Sequence, residues 1–332
     1  MKFEAVVILF LSLAPKTKKA FQLEYLPKDL ILLAKLRTFN YTDVIDWIPF
    51  NRLSNIEKIG KGGFGSVYSA IWLDGIRKVE KINLGNIYIY KSAREPNSIV
   101  ALKTLINSKE NNTDFLKEFR SFMTCKLNYS KLAIYGITQN TETKEYMMVF
   151  QYANKGSLHK YLSKNFNELT WQTRLQILKD ISDELDNIHR FAEYFHADFH
   201  SGNILQGQRT NENVRSYITD LGLSRKKCES VLGDIYGVMP YIAPDVLSGE
   251  QRFTQAADIY GFGIIMTEMS NGQRPFDGYK FDIKLAVQIC KGLQPEFAPG
   301  TPKCYTELAE KCMNSGPQKR PSAMDIWETV DD

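Results

Sequence analysis

The chain has 332 residues, with 42 Lys plus Arg against 38 Asp plus Glu, a net charge of +4 and 43% hydrophobic residues. That length admits one large two-lobed domain or two ordinary ones, and the apolar fraction excludes a mainly disordered chain. So small a positive surplus argues against nucleic acid or an anionic membrane as an obligatory partner.

The five cysteines, Cys125, Cys228, Cys290, Cys304 and Cys312, form no C-x-x-C pair, and only four histidines are present. A disulfide framework and a zinc site are therefore not expected, and a reducing, cytoplasmic setting is. The apolar run from Ala5 to Ala14, led by Lys2, supplies the alternative of a signal peptide, against which Glu4 and Pro15 stand. About ten apolar residues fall short of the roughly 20 that a transmembrane helix needs.

From the N-terminus, residues 1–52 read as an extension, with a seam near Asp46 to Arg52. Glycines 60, 62, 63 and 65 then interrupt a pattern that resumes as the alternating run Ser66 to Trp72, which predicts a hairpin. Residues 73–98 read as polar and irregular apart from Ile87 to Tyr90. Ile99 to Leu105 predicts a strand interrupted by Lys103, and Thr113 to Leu127 a helix. Ile134 to Gln139 and Tyr146 to Gln151 predict strands either side of a polar turn. Beyond them the chain becomes helical: Leu175, Leu178, Ile181, Leu185 and Ile188 recur at steps of three and four along one face of a helix ending near His189. A second helix is expected over Asp258 to Met269, and several more between Leu285 and Val330.

Gly60-Lys61-Gly62-Gly63-Phe64-Gly65 is a G-x-G-x-x-G string, which lets backbone amides approach phosphates. The element directly after it is a strand, whereas a dinucleotide fingerprint needs a helix there. Val100-Ala101-Leu102-Lys103 places a cation on a neighbouring strand, and Glu118 on the helix expected beyond it is a partner for that charge. His196-Ala197-Asp198-Phe199-His200-Ser201-Gly202-Asn203 sets a carboxylate and an amide five residues apart, and Asp220-Leu221-Gly222 comes next. A carboxylate to accept a hydroxyl proton, with an Asn and a second Asp to hold Mg²⁺ against phosphates, is the minimum set for moving a γ-phosphoryl group to an alcohol.

In this order, and continuing through Ala243-Pro244-Asp245, Asp258-Ile259-Tyr260-Gly261-Phe262-Gly263 and Arg320-Pro321, the strings resemble the protein kinase family over about residues 53 to 330. Tyr152 to Leu158 and Asp220 to Arg225 are most similar to its tyrosine-kinase-like group of mainly serine/threonine enzymes. The resemblance implies an α+β, two-lobed protein kinase fold, with a small antiparallel β lobe over about 53–150 and a larger, mainly helical lobe over about 154–330. It implies ATP and Mg²⁺ as cofactors and a protein as substrate, with no nucleic acid or membrane partner. Asp198 would be the catalytic base. Lys103 would contact the α and β phosphates and pair with Glu118, and Asn203 and Asp220 would bind Mg²⁺. The glycine-rich strands from Gly60 to Gly65 would cover the phosphates. The adenine would lie between Val67 and Ala101 above and Leu205 below, with the backbone of Gln151 and Ala153 as hinge and Phe150 as gatekeeper.

Four departures qualify that expectation. Ala197 stands where most kinases have Arg, so switching through phosphorylation of Ser224, Ser230 or Tyr236 is not expected. His200 and Val238 replace the Lys and Thr usual in serine/threonine kinases. Tyrosine and dual specificity therefore remain alternatives, as does a pseudokinase acting as an ATP-binding scaffold. Asp245 replaces the Glu that pairs with Arg320 and is one methylene shorter, which predicts a weaker or water-bridged pair. The span from Val67 to Lys103 is about twenty residues longer than the family's, as a tolerated surface insertion or a docking site. His159 and His189 read as structural or surface residues.

Overall fold

The computed structural model describes residues 45–62, 65–83, 88–104, 131–208, 213–221, 225–226 and 237–331, which fall into two compact units divided after Gln151, with residues 131–133 joining the second. The expected helix over Thr113 to Leu127 lies outside the described residues.

The first unit is built on a six-stranded sheet in the order β1-β7-β8-β6-β3-β2, with β1 (Asp46–Trp47), β2 (Leu53–Gly62) and β3 (Gly65–Trp72). Beyond them lie β4 (Ile76–Asn83), β5 (Tyr88–Glu95), β6 (Ser98–Thr104), β7 (Ile134–Gln139) and β8 (Tyr146–Gln151). Neighbours run antiparallel except β1 and β7, which are parallel. The sheet thus begins before residue 53, and Ile48 is fully buried in its core.

Period-two alternation gives this sheet its two faces. Val100 and Leu102 of β6 point with Ala70, Trp72, Met147 and Val149 into a cluster that also holds Ile48 and Leu53. Burying each such side chain stabilises the unit by about 1.5–3 kcal/mol. The intervening residues Ala101 and Lys103 therefore share the opposite face with their cross-strand partners. Lys103 pairs with Val67 and Met148, and Ala101 with Ser69 and Phe150.

The described part of 73–98 is not irregular. β4 and β5 form a two-stranded antiparallel hairpin in unbroken register from Ile76 opposite Glu95 to Asn83 opposite Tyr88. The hairpin escapes a period-two reading because neither face is buried along its outer part, so Val79, Ile82, Ile89 and Tyr90 stand exposed among Lys78, Glu80 and Lys91. Its base is fastened by charge. Arg77 donates to both carboxylate oxygens of Asp46, at 3.0 and 2.5 Å, and Arg94 donates to the same group at 2.8 Å.

The second unit opens with β9 (Gly156–Ser157) and α1 (Leu158–Asn165), followed by α2 (Trp171–Asp186), which Thr170 caps at its N-terminus. Leu178, Ile181, Leu185 and Ile188 are buried along one face as expected, whereas Leu175 is exposed. α2 runs into a π-helical turn, Asn187–Phe191, and β10 (Tyr194–Phe195). Next, β11 (Ile204–Gly207) pairs with both β9 and β12 (Arg215–Ile218), and β13 (Arg225–Lys226) pairs with β10. The short α3 (Pro244–Leu247) precedes α4 (Gln255–Asn271), in which every residue from Ala257 to Ser270 is buried. A helix buried all round belongs at the centre of its unit. It ends at Gly272, whose φ of +74° suits glycine and whose N–H donates to the Glu268 carbonyl at 2.8 Å. α5 (Ile283–Cys290), α6 (Lys303–Cys312) and α7 (Ala323–Asp331) complete it. Among the described residues no helix is long and apolar enough to cross a membrane.

Candidate active site

In the first unit, β2 and β3 form the glycine-rich hairpin, with Gly62 opposite Gly65 and with Gly63 and Phe64 outside the described residues. Gly60 and Lys61 pair with Val67 and Ser66. Gly65 has φ +131°, and a Cβ there would meet the Thr104 carbonyl oxygen at 2.4 Å, so only glycine fits. Thr104 accepts a hydrogen bond from the Ser66 N–H at 2.7 Å and returns one to its carbonyl at 3.2 Å. Sequence reading passed over Thr104, although it ties the phosphate-type hairpin to the strand that carries Lys103. Lys103 is buried, as is Phe150 on the same face of the sheet, while Val67 and Ala101 are half-buried. Glu118 lies outside the described residues. Gln151 closes β8 opposite Val100.

In the second unit, the segment from His196 to Asn203 is folded by its own polar atoms. The Asp198 N–H donates to His196 Nδ1 at 3.3 Å, which leaves His196 Nε2 as the donor to the Thr219 carbonyl at 2.8 Å. Asn203 Nδ2 donates to both the Asp198 carbonyl and Asp198 Oδ2, at 2.9 and 3.1 Å. The amide's oxygen is thereby turned away from Asp198. Asn203 immediately precedes β11, and Asp220 lies just past β12. The Ile204–Ile218 pairing and the Thr219 N–H donating to the Asn203 carbonyl at 2.9 Å set these two positions side by side. An amide oxygen and a carboxylate are the hard oxygen donors that Mg²⁺ takes, so the donor set fits that ion. Asp220 has φ +64°, a conformation costly for a non-glycine residue and typical of functional sites. Leu205 stands in β11 between Tyr217 and Ser157, and the Ala153 carbonyl accepts from the Gly156 N–H at 3.2 Å.

Burial would raise the pKa of Asp198, but His200, His196 and Asn203 together outweigh it and hold the carboxyl below its ordinary value. The group is therefore ionised at neutral pH. It lines a small open depression with Gly237, Val238, Tyr241 and Ile242.

The buried carboxylate of Asp258, at the start of α4, organises this loop. Its Oδ1 accepts from the Ala197 N–H at 3.0 Å, and its Oδ2 accepts from the His196 N–H at 2.7 Å and meets His189 Nε2 at 2.8 Å. Ala197 has φ +67°, and the carboxylate bonded to its N–H supports that strained conformation. Gly261 brings α4 against the same loop, since a Cβ there would lie 2.7 Å from the Phe199 carbonyl oxygen. His189 is thus structural. His159 belongs to a longer chain in which Arg274 Nε donates to its Nε2 at 2.9 Å and its Nδ1 meets Glu268 Oε1 at 2.8 Å. Glu268 Oε2 in turn accepts from the Tyr241 hydroxyl at 2.7 Å.

The expected loosening at Asp245 is not seen. Arg320 contacts Asp245 Oδ1 directly, both side chains are buried, and the guanidinium also donates to the carbonyls of Asn314, Ala256 and Ser315. The shorter acid is accommodated because three carbonyls, and not the carboxylate alone, position the guanidinium. Leu221 is buried. Gly222, Ser224, Ser230 and Tyr236 lie outside the described residues.

The chain is similar to "Probable serine/threonine-protein kinase roco5" of Dictyostelium discoideum, 28% identical over 295 residues, 84% of this chain and 10% of that protein. It is similar to "Calcium/calmodulin-regulated receptor-like kinase 1" of Arabidopsis thaliana, 28% identical over 258 residues, 73% of this chain and 57% of that one. "Cyclic GMP-binding protein C" of Dictyostelium discoideum is 28% identical over 315 residues, 85% of this chain and 11% of that protein. The chain therefore spans about a tenth of these Dictyostelium relatives and little more than half of the plant one. The family profile described as protein tyrosine and serine/threonine kinase matches residues 53–330, and the chain belongs to that family.

Proposed function

We propose that the chain is an active protein kinase that transfers the γ-phosphoryl group of ATP to a protein hydroxyl, serine or threonine ahead of tyrosine. The observation that carries this reading is the ionised Asp198 carboxylate, held on one oxygen by Asn203 and lining a small depression with Gly237, Val238 and Tyr241. In that position it orients the acceptor hydroxyl and takes its proton. Lys103, paired with Glu118, binds the α and β phosphates under the Gly60–Gly65 hairpin. Val67, Ala101 and Leu205 enclose the adenine, with Phe150 as gatekeeper and the Gln151 and Ala153 backbone as hinge. Asn203 and Asp220 hold Mg²⁺, which supplies the charge neutralisation that phosphoryl transfer requires. The serine/threonine preference is supported by the names of the relatives.

Ala197 in place of Arg supports activity that does not wait for phosphorylation of the activation segment. A large rise in rate on phosphorylating Ser224, Ser230 or Tyr236 would count against that part of the reading. Ala197 and Val238 also support a second reading, an ATP-binding scaffold without transfer. The test is transfer of labelled γ-phosphate from Mg-ATP to mixed protein substrates by the purified chain and by Asp198→Asn. Transfer by the parent and near-silence in the variant supports the kinase, and phosphoamino-acid analysis then assigns the hydroxyl. A folded parent that binds ATP without transfer supports the scaffold.

A further inference from the structure

Asp198 Oδ2 is bound by Asn203, but its Oδ1 is buried and receives no hydrogen bond among the described residues. An orphaned buried oxygen is costly. Among the described residues His200 approaches it, with Nε2 3.6 Å from that oxygen. The imidazole is placed there by three constraints. The Gly202 N–H points at His200 Nδ1 at 3.0 Å, and a backbone N–H can only donate, so Nδ1 is the unprotonated nitrogen and the ring proton sits on Nε2. The ring also lies close over Gly202, where a Cβ would come within 2.6 Å of Cε1, so the glycine leaves it this place. Tyr241 stands beside the ring, with centroids 5.6 Å apart.

We propose that His200 is a positioning residue for Asp198: the turn formed by Ser201–Asn203 fixes its Nε2–H tautomer and aims that proton at Oδ1, so the carboxylate is held on both oxygens. At 3.6 Å the contact is longer than a formed hydrogen bond, and such contacts commonly tighten only when substrate is bound. Gly237 keeps the approach open from the other side, because a Cβ there would lie 3.1 Å from Oδ1. This inference rests on the kinase reading for its effect on rate but not for its geometry.

Two variants separate positioning from capping. His200→Asn keeps an oxygen able to accept from Gly202 and removes the distal donor. His200→Gln places an amide N–H near the position of Nε2. The expected result is a fall in kcat of about 10- to 100-fold in His200→Asn, with KM for ATP unchanged and most of the rate restored in His200→Gln. In the Asp198→Asn background His200→Asn should cost nothing further, because it acts through that carboxylate. Parent-like kcat in His200→Asn, or equal additional loss in the Asp198→Asn background, would overturn the proposal. The imidazole ¹⁵N resonances decide it even in a chain that transfers no phosphate. With four histidines to assign, His200 should show protonated Nε2 and bare Nδ1. Its Nε2 resonance should shift in Asp198→Asn, and a protonated Nδ1 would overturn the proposal.

Discussion

Removing either member of the buried Asp245–Arg320 pair should cost the large unit several kcal/mol, and by unequal amounts. Asp245→Ala leaves a guanidinium that still donates to the carbonyls of Asn314, Ala256 and Ser315, so its hydrogen-bonding capacity is largely used and only its charge is uncompensated. Arg320→Leu leaves a buried carboxylate, whose Oδ2 already has no hydrogen bond among the described residues, and also strips those three carbonyls of a donor. Breaking a buried pair by removing one partner costs about 3–5 kcal/mol. Asp245→Ala is expected near the lower end and Arg320→Leu near the upper. For a domain of this size each kcal/mol moves Tm by roughly 2 °C, which gives losses of about 6 and 10 °C. The double variant should lose little more than Arg320→Leu alone, because the second substitution removes the charge that the first one stranded. Urea unfolding monitored by tryptophan fluorescence measures all three. A coupling below about 0.5 kcal/mol, which is ordinary additivity, would mean that the two groups do not depend on each other and would sink this account.

Three further outcomes rest on named contacts. Burial pushes the Glu184 carboxyl up to about 7, against the bonds it accepts from the Ile218 and Lys131 N–H groups at 2.5 and 2.7 Å. Because the folded value lies above the unfolded one, stability is greatest below the unfolded value and is lost as pH rises through about 7. Glu184→Gln should therefore remove a slope worth about 3 kcal/mol between acid and neutral pH, and parallel stability curves for parent and variant would contradict this. Gly261→Ala places a methyl against the Phe199 carbonyl, and a loss of about 1–3 kcal/mol together with reduced transfer is expected from unfolding curves and kinase assays. Asp46→Ala removes the carboxylate that both Arg77 and Arg94 bind, so limited proteolysis should cut the β4–β5 hairpin faster while leaving the large unit's unfolding midpoint in place.

The parts legible in the sequence were those whose partners lie at a regular spacing. β7 and β8 occupy the expected residues because their apolar runs are bounded by the polar turn at Asn140 to Lys144. The period of three and four in α2 located its buried face from Leu178 onward, and Leu175 fell off that face because it stands in the helix's exposed first turns. The β4–β5 hairpin was illegible because its register is set by backbone pairing and by two arginines on Asp46, and not by an apolar face. Among the candidate site residues of each unit, residue types singled out Lys103 in the first and Asp198, Asn203 and Asp220 in the second, but no pattern announces what holds them. Asp258 acts on backbone N–H groups about sixty residues away, Thr104 acts on a neighbouring strand's backbone, and the His200 contact depends on a tautomer fixed by a glycine amide.

Helix α4 imposes an order of assembly on the large unit. Buried from Ala257 to Ser270, it presents little surface to water, and most helical stability in a folded protein comes from packing against neighbours. It gains its stability only as the loop at Phe199 and helix α6 close on Gly261 and Gly263, where backbone and side chains approach too closely for any Cβ. Formation of the helix and closure of the loop at Phe199 are thus one event. Amide protons in the middle of α4 should exchange with solvent only when the whole unit opens, so the loop that carries Asp198 is anchored to a segment that opens only with its unit.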